Sequence, residues 1–309
     1  MAQIVITERM HQNSVEALSA DFDVHYDTTL CDPPHVHLEA LGPGCQALIV
    51  RNRTQVSEQL LAFFCELKIV GRLGVGLDNI DLDACRKHGI VVQPALGANL
   101  ISVAEYVISG ILMLRRRAYH DTAKVLAGEW PREQLIGGEA YQKTLGIVGF
   151  GAIGQAVAVR ARALGMQVIA YDPRFTVDAD LWQRTGVEPR DFSSLLTDSD
   201  VLSLHVPLNA ETHNLIDAAA LTKMKPAALL INTSRGGVVD EIALTEALRG
   251  HHLGGALLDV FAHEPVSQKS HFLGIPNLFL TPHIAGITHE SDIRVGEMIA
   301  AAVCQTLTA

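Results

Sequence analysis

Three segments each carry an isolated ionisable side chain just beyond a short apolar run: Asn232-Thr233-Ser234-Arg235-Gly236-Gly237, Asp259-Val260-Phe261-Ala262-His263-Glu264-Pro265 and Thr281-Pro282-His283-Ile284-Ala285-Gly286. An arginine, a carboxylate and a histidine together suit the interconversion of a 2-oxo acid and its 2-hydroxy acid. Hydride delivery to the carbonyl carbon leaves an alkoxide that must be protonated, and a cation is needed to hold the substrate carboxylate and polarise the carbonyl. In this reading His283 is the acid/base, Glu264 orients it and favours the imidazolium, and Arg235 makes a two-point contact with the carboxylate. Taken singly, His283 after Pro282 reads equally as a satisfied turn histidine and Glu264 before Pro265 as turn chemistry, so the combination carries the weight.

Such residues must be delivered to one place. Short apolar runs alternate with helical patterns: 4–6, 47–50, 69–70, 145–148, 168–171, 201–204, 229–231 and 278–280. Continuous apolar runs separated by helices predict parallel sheets covered on both faces, an α/β fold in which the carboxyl ends of the strands converge on a ligand crevice. A helical stretch from Leu100 to about Ala127, capped by Asn99 and ending near Gly128, is expected to separate two α/β units. The patches Pro33-Pro34, Gly42-Pro43-Gly44 and Gly137-Gly138 read as ordinary turns.

A cofactor signal lies in the second half. Gly149-Phe150-Gly151-Ala152-Ile153-Gly154 follows the run 145–148, precedes a helical stretch to Leu164, and is followed by a second strand ending at Asp172, 23 positions after Gly149. The order strand, glycine turn, helix, strand, acid is the dinucleotide-binding pattern. Gly149 and Gly151 permit the tight turn and close approach of a pyrophosphate to the helix N-terminus, Gly154 permits close helix–strand packing, and Asp172 accepts from the adenosine ribose hydroxyls. Asp172 would repel a 2′-phosphate, which favours NAD over NADP; Arg174 nearby qualifies the preference. Methyltransferases and flavoproteins also use glycine-rich first turns and remain a competing class.

The composition sets limits. The 309 residues suit two domains at roughly 150 residues each. Hydrophobic residues make up 48% and charged residues 19%, a globular balance. A net charge of −10 argues against nucleic-acid and membrane-surface partners and requires a local positive pocket for an anionic substrate. Cys31, Cys45, Cys65, Cys85 and Cys304 form no C-x-x-C pair, so buried free thiols are expected. The opening MAQIVITERM lacks a basic n-region, and no run of about 18 apolar residues occurs, so a cytoplasmic protein is expected. His35-x-His37 and His251-His252 lack further ligands at metal spacing, so no metal is expected, and Arg115-Arg116-Arg117 reads as a solvated turn or dimer contact.

The sequence resembles the D-isomer-specific 2-hydroxyacid dehydrogenase family, in particular the catalytic core of the 3-phosphoglycerate dehydrogenases and the short sulfolactate dehydrogenases. The likeness runs from about residue 45 to 290 through VRNRT (50–54), GVGLDNID (74–81), GANLISVAEY (97–106), GFGAIG (149–154), SLHVPL (203–208), NTSRGGVVDE (232–241), ALLDVFAHEP (256–265) and TPHIAG (281–286). It implies two Rossmann-like or flavodoxin-like doubly wound domains with the active site in the cleft between them. Residues 1–97 completed by 285–309 would form a substrate-binding lid, and 98–284 an NAD-binding domain. Arg235, Glu264 and His283 take the family's catalytic positions. Gly149, Gly151, Ala152, Ile153, Gly154, Asp172, His205, Pro207, Thr212, Thr233, Asp259, His283 and Gly286 fall at its cofactor positions. Among these, Asp259 would contact the nicotinamide carboxamide and Thr233 would line its pocket. Ala152 stands where many members have an arginine beside the pyrophosphate, which removes a charge contact and keeps the backbone site. Glu264 weighs against formate dehydrogenases, which carry glutamine there, and the Glu264–His283 pair weighs against a non-catalytic NAD-sensing relative.

For the substrate, the resemblance places Arg51, Arg53, Val75, Gly76, Asn99, Arg132 and Arg235 at its contacts. The backbone N–H groups of Val75 and Gly76 would bind the carboxylate. Arg53 stands where simple hydroxyacid reductases have a small residue, and Arg132 matches a basic residue reaching over from the neighbouring subunit of a homodimer built on the 100–127 helix region. A second anion on C3 is therefore expected, as in 3-phosphoglycerate or 3-sulfolactate. Hydroxypyruvate or glyoxylate reduction is the alternative if Arg53 is only a solvated loop arginine.

Overall fold

The computed structural model describes residues 2–32, 36–119 and 121–309, so the Pro33-Pro34 turn and His35 of the His35-x-His37 reading lie outside the described residues. The chain divides into two compact units, Met1–Asn99 with Ile287–Ala309, and Leu100–Gly286.

The first unit holds β1 (Ile4–Ile6), β2 (Val24–Tyr26), β3 (Ala47–Val50), β4 (Ile69–Arg72) and β5 (Val91–Pro94). They form one parallel sheet in the order β2-β1-β3-β4-β5, the flavodoxin-like winding. β1 and β3 are buried throughout, as unbroken apolar runs covered on both faces must be. One face is covered by the helices Gln12–Ser19 and His289–Thr308, through Val15, Leu18, Val295, Ile299 and Val303. A Cβ at Gly296 would meet Ser14 Oγ at 2.5 Å, so glycine there lets the two helices approach.

The second unit holds β6 (Thr144–Val148), β7 (Gln167–Tyr171), β8 (Glu188–Pro189), β9 (Val201–Leu204), β10 (Leu229–Asn232), β11 (Gly255–Leu258) and β12 (Leu278–Leu280). All are parallel, in the order β12-β11-β10-β9-β6-β7-β8, which is the Rossmann winding with one further strand. The helices Leu100–Arg116 and Ala152–Ala163 cover one face with Val103, Val107, Ile111, Val157 and Ala161; Leu195, Leu221, Leu244 and Leu248 belong to a second apolar cluster with Leu202, Leu204 and Leu230. The order reverses between β6 and β9, so the loops after these two strands flank the crevice where such sheets bind ligands.

Four strands, β2, β5, β8 and β11, lie outside the expected apolar runs. β2, β5 and β8 are sheet edges whose residues are half-buried or exposed; β2 and β8 carry no apolar run, whereas the short run Ile90-Val91-Val92 leads into β5. β11 is wholly buried but opens on glycine and alanine, without β-branched residues. The helix expected over 100–127 is instead Leu100–Arg116, followed by a separate turn of helix at Thr122–Leu126. Arg117 takes a left-handed conformation, φ 53°, that ends it. The Gly137-Gly138 stretch is more than a turn: Gly138 N–H donates to Arg115 O at 2.7 Å, and a Cβ at Gly137 would lie 2.2 Å from Arg116 O. All five cysteines are free; Cys31, Cys45 and Cys85 are buried, while Cys65 is exposed, contrary to expectation. Among the described residues no helix is long and apolar enough to cross a membrane, and no group of three or more His, Cys, Asp or Glu is placed to hold a metal.

Candidate active site

The glycine turn after β6 is shaped by contacts that exclude side chains. Gly149 has φ +88°, and a Cβ on it would lie 2.4 Å from His205 O beyond β9. A Cβ on Gly154 would lie 2.5 Å from Gly149 O, so the helix Ala152–Ala163 sits tightly on the turn. Gly151, at that helix's N-cap, is open by contrast: a Cβ would meet only Arg174 Nη2, at 3.6 Å. The helix begins with Ala152 and Ile153, which carry no charge to compete with a phosphate for its first N–H groups. These features fit a dinucleotide pyrophosphate held by backbone.

Asp172 follows β7 and its side chain is 2% exposed. It accepts from Phe150 N at 2.9 Å and from Arg174 N, Nε and Nη2 at 3.0, 2.9 and 2.6 Å. Burial opposes the charge, but the Arg174 and Phe150 donors outweigh it and hold the carboxyl below its ordinary value. The pairing of Asp172 with Arg174, two residues away, is not evident from the sequence. Beyond β9, His205 Nε2 lies 2.9 Å from Ser203 Oγ, and the protein packed round the ring pushes its pKa down to about 4. The imidazole is therefore neutral near pH 7. Thr212 Oγ1 donates to Pro207 O at 2.6 Å, closing the loop that follows.

The loops after β10, β11 and β12 are tied together. Asn232 closes its own loop, accepting from Ser234 N and Oγ and donating to Arg235 O at 2.9 Å. Arg235 Nη1 donates to Ser234 O at 2.6 Å, and the neighbouring Thr233 has a buried Oγ1 without a partner among the described residues. A Cβ on Gly236 would fall 1.9 Å from Phe261 O, so the β10 loop rests on the β11 loop. Asp259, 1% exposed, accepts from Thr281 Oγ1 at 2.6 Å, Ile284 N at 2.8 Å and Ala285 N at 2.8 Å, and its own carbonyl accepts from His283 N at 2.9 Å. The register explains this, since Leu258 pairs with Leu280 and the next residues are Asp259 and Thr281. Tyr106 hydroxyl, from the helix Leu100–Arg116, is hydrogen-bonded to Thr281 Oγ1.

His283 is held with φ 55°, rare for a residue with a side chain, and its Nδ1 lies 2.9 Å from Glu264 Oε2. Glu264 Oε1 accepts from Phe261 N at 3.1 Å, so the carboxylate is anchored to its own loop while it faces the histidine. The two side chains are 34% and 39% exposed, open enough to meet a small molecule. Gly286 ends the turn that carries His283, at the last residue of this unit.

Residues 108–285 match the family model described as the D-isomer specific 2-hydroxyacid dehydrogenase, NAD binding domain. Over 96% of this chain, it is 54% identical to the (S)-sulfolactate dehydrogenase of Chromohalobacter salexigens, covering 95% of that protein. The chain belongs to the D-isomer specific 2-hydroxyacid dehydrogenases. It is also 38% identical over 97% of its length to the D-3-phosphoglycerate dehydrogenase of Synechocystis sp., of which it covers 53%, so it spans about half of that relative. The crystal structure of D-lactate dehydrogenase from Aquifex aeolicus complexed with NAD and lactic acid is 31% identical, with a TM-score of 0.87 over 99% of this chain and 95% of that one. The second unit of this NAD-dependent 2-hydroxyacid dehydrogenase accordingly contains its NAD-binding domain.

The remaining candidate positions of this dehydrogenase belong to the first unit, apart from Arg132. Val75 and Gly76 are half-buried in the loop after β4, where Gly74 has φ +157°. Arg51 and Arg53 follow β3. The Arg51 guanidinium, 16% exposed, is turned onto Asp292 at 3.2 Å, which gives it a partner inside its own unit. Arg53 is 58% exposed and ion-paired with Asp32. Asn99 Oδ1 is buried without a partner among the described residues, and Arg132 is exposed in the segment before β6.

Proposed function

We propose that this dehydrogenase acts on a 2-hydroxy acid bearing a second anion on C3, with 3-sulfolactate and its 2-oxo partner 3-sulfopyruvate as the pair that fits best. The 54% identity to a sulfolactate dehydrogenase across nearly the whole chain carries this reading. The stereochemical labels agree with it. In lactate the carboxyl group outranks the methyl, whereas in sulfolactate the sulfur-bearing methylene outranks the carboxyl. The (S) descriptor of sulfolactate therefore denotes the same arrangement in space as the D form of lactate.

NAD, when bound, supplies or accepts the hydride at C2. Gly149 and Gly151 let its pyrophosphate approach the helix N-terminus at Ala152 and Ile153, Gly154 keeps that helix tight on the turn, and Asp172 reads the adenosine ribose. His205, Pro207, Thr212, Thr233, Asp259 and Gly286 border the cofactor in this reading. Arg235 and the backbone N–H groups of Val75 and Gly76 bind the substrate carboxylate, with Asn99 beside them. Arg235 also stabilises the charge that develops on the C2 oxygen. With Nδ1 taken by Glu264, His283 uses Nε2 to give a proton to that oxygen during reduction and to remove it during oxidation; Glu264 stabilises the imidazolium form. Arg53 contacts the second anion.

The protein works as a cytoplasmic homodimer in this proposal, its partner bringing Arg132. The exposed Tyr119, Leu126, Trp130 and Ile136, 72–84% accessible, support a covered surface around the 100–141 stretch. A second reading, a hydroxypyruvate or glyoxylate reductase, is favoured by one observation: Asp32 already neutralises Arg53. The two are separated by NADH oxidation with 3-sulfopyruvate, 3-phosphohydroxypyruvate, hydroxypyruvate and glyoxylate. A preference of about a hundredfold in kcat/KM for one charged acid, worth about 2.7 kcal/mol, supports the second anion. Equal or better use of the uncharged acids assigns the reductase.

A further inference from the structure

Glu8 stands just beyond β1, whose neighbour β3 runs directly into Arg51-Asn52-Arg53-Thr54. Its carboxylate, on a residue 5% exposed, accepts from Arg51 N at 2.8 Å, Asn52 N at 3.2 Å, Arg53 N at 3.1 and 3.2 Å, and Thr54 N at 3.0 Å. Four successive amides converging on one carboxylate make an anion nest, filled here by the protein's own side chain. The same turn is gripped from its carbonyl side. Asn79 Nδ2 donates to Thr54 O at 2.7 Å and to Arg51 O at 3.3 Å, and Thr54 Oγ1 lies 2.7 Å from Thr7 Oγ1. Burial disfavours the Glu8 charge, and the amides outweigh it, so the carboxyl titrates below its ordinary value and is ionised near pH 7. The backbone of the turn is thus pinned on both sides while the Arg53 side chain stays exposed.

We infer that Glu8 is a positioning residue for substrate selection: it fixes the turn from which Arg53 projects, and it withholds the four N–H groups from the substrate's second anion. Selection for that anion then rests on the Arg53 guanidinium. The inference depends on Arg53 being the second-anion contact, as proposed above. Asn79 serves the same end from the opposite face of the turn.

The test is steady-state reduction of 3-sulfopyruvate and of glyoxylate by full-length wild type, Glu8→Gln, Asn79→Ala, Arg53→Gln and the Glu8→Gln/Arg53→Gln double variant. For Glu8→Gln the KM for 3-sulfopyruvate rises about tenfold or more, while its kcat and the kcat/KM for glyoxylate stay within about twofold. In the Arg53→Gln background the Glu8 change adds no further loss for 3-sulfopyruvate. Equal falls for both substrates, unchanged KM, or full additivity in the double variant overturns the role of Glu8 even where wild type prefers the charged acid. A wild type without that preference, or an Arg53→Gln enzyme that keeps it, overturns the second-anion reading and the inference with it. Should Glu8→Gln prove unfolded by circular dichroism, Asn79→Ala decides, since it loosens the same turn and must show the same KM-selective loss.

Discussion

Replacing Asp259 by asparagine attacks the device that holds His283. The carboxylate is 1% exposed and receives one hydroxyl and two backbone N–H donors from the 281–285 turn, at 2.6–2.8 Å. An amide retains one acceptor oxygen and brings two N–H groups into a site that presents only donors. Whichever way it is turned, at least one backbone N–H loses its acceptor. Hydrogen bonds to a charged group contribute about 1.5–3 kcal/mol each, so one lost bond with a donor facing it costs about 2–4 kcal/mol. For a unit of this size, about 2–4 °C per kcal/mol, the melting temperature falls by about 4–16 °C. His283 meanwhile sits at φ 55°, a strained conformation that persists only where its surroundings impose it. Releasing about 1.4–2.8 kcal/mol of that constraint lowers the fraction of molecules with a competent turn, and hence kcat, by about ten- to a hundredfold. The assay is kcat for NADH oxidation at saturating 2-oxo acid, paired with calorimetric unfolding of the same protein. An Asp259→Asn enzyme with wild-type kcat and an unshifted melt would refute the reasoning.

Other expectations follow from the same geometry. Asp172→Ala removes the buried carboxylate facing Arg174, and the ratio of kcat/KM for NADP over NAD rises by about tenfold or more; an unchanged ratio shows that Asp172 does not select the cofactor. His205 is neutral in the folded protein down to about pH 4, whereas its ordinary value is 6.5. Between those values the unfolded chain binds a proton that the folded one does not, so stability falls as pH drops through that window. Thermal midpoints measured from pH 7 to pH 4 should show a shallower decline in His205→Gln than in wild type. Asp32→Asn frees the Arg53 guanidinium, which lowers the KM for 3-sulfopyruvate and leaves that for glyoxylate unchanged. A KM that rises for both acids would make the ion pair a support of the loop instead.

The features legible in the sequence are those that one residue type dictates. Gly149 and Gly154 mark the turn after β6 because no other residue tolerates the positive φ or the approach of a carbonyl to 2.4–2.5 Å. The inner strands other than β11 announce themselves because burial on both faces demands unbroken apolar runs, and the edges β2 and β8 do not because an edge makes no such demand. Glu264 and His283 could be placed at strand ends, and the pairing of β11 with β12 brings their loops together. What stayed hidden depends on contacts distant in the chain: Glu8 filling the nest of residues 51–54, Tyr106 reaching Thr281, and Asp259 spending its carboxylate on the His283 turn. Arg117 ended its helix without a glycine or proline to signal it.

The most direct measurement is single-turnover NADH oxidation by His283→Gln beside wild type, with NADH binding followed by fluorescence titration. Turnover should fall by about a hundred- to ten-thousandfold while NADH affinity stays within about threefold, because the proton donor is lost and the Gly149–Gly154 cradle is not. Retention of wild-type turnover would contradict His283 as the acid/base. A wild type that binds NADH yet reduces no 2-oxo acid at all would contradict the assignment of the Arg235, Glu264 and His283 loops to catalysis.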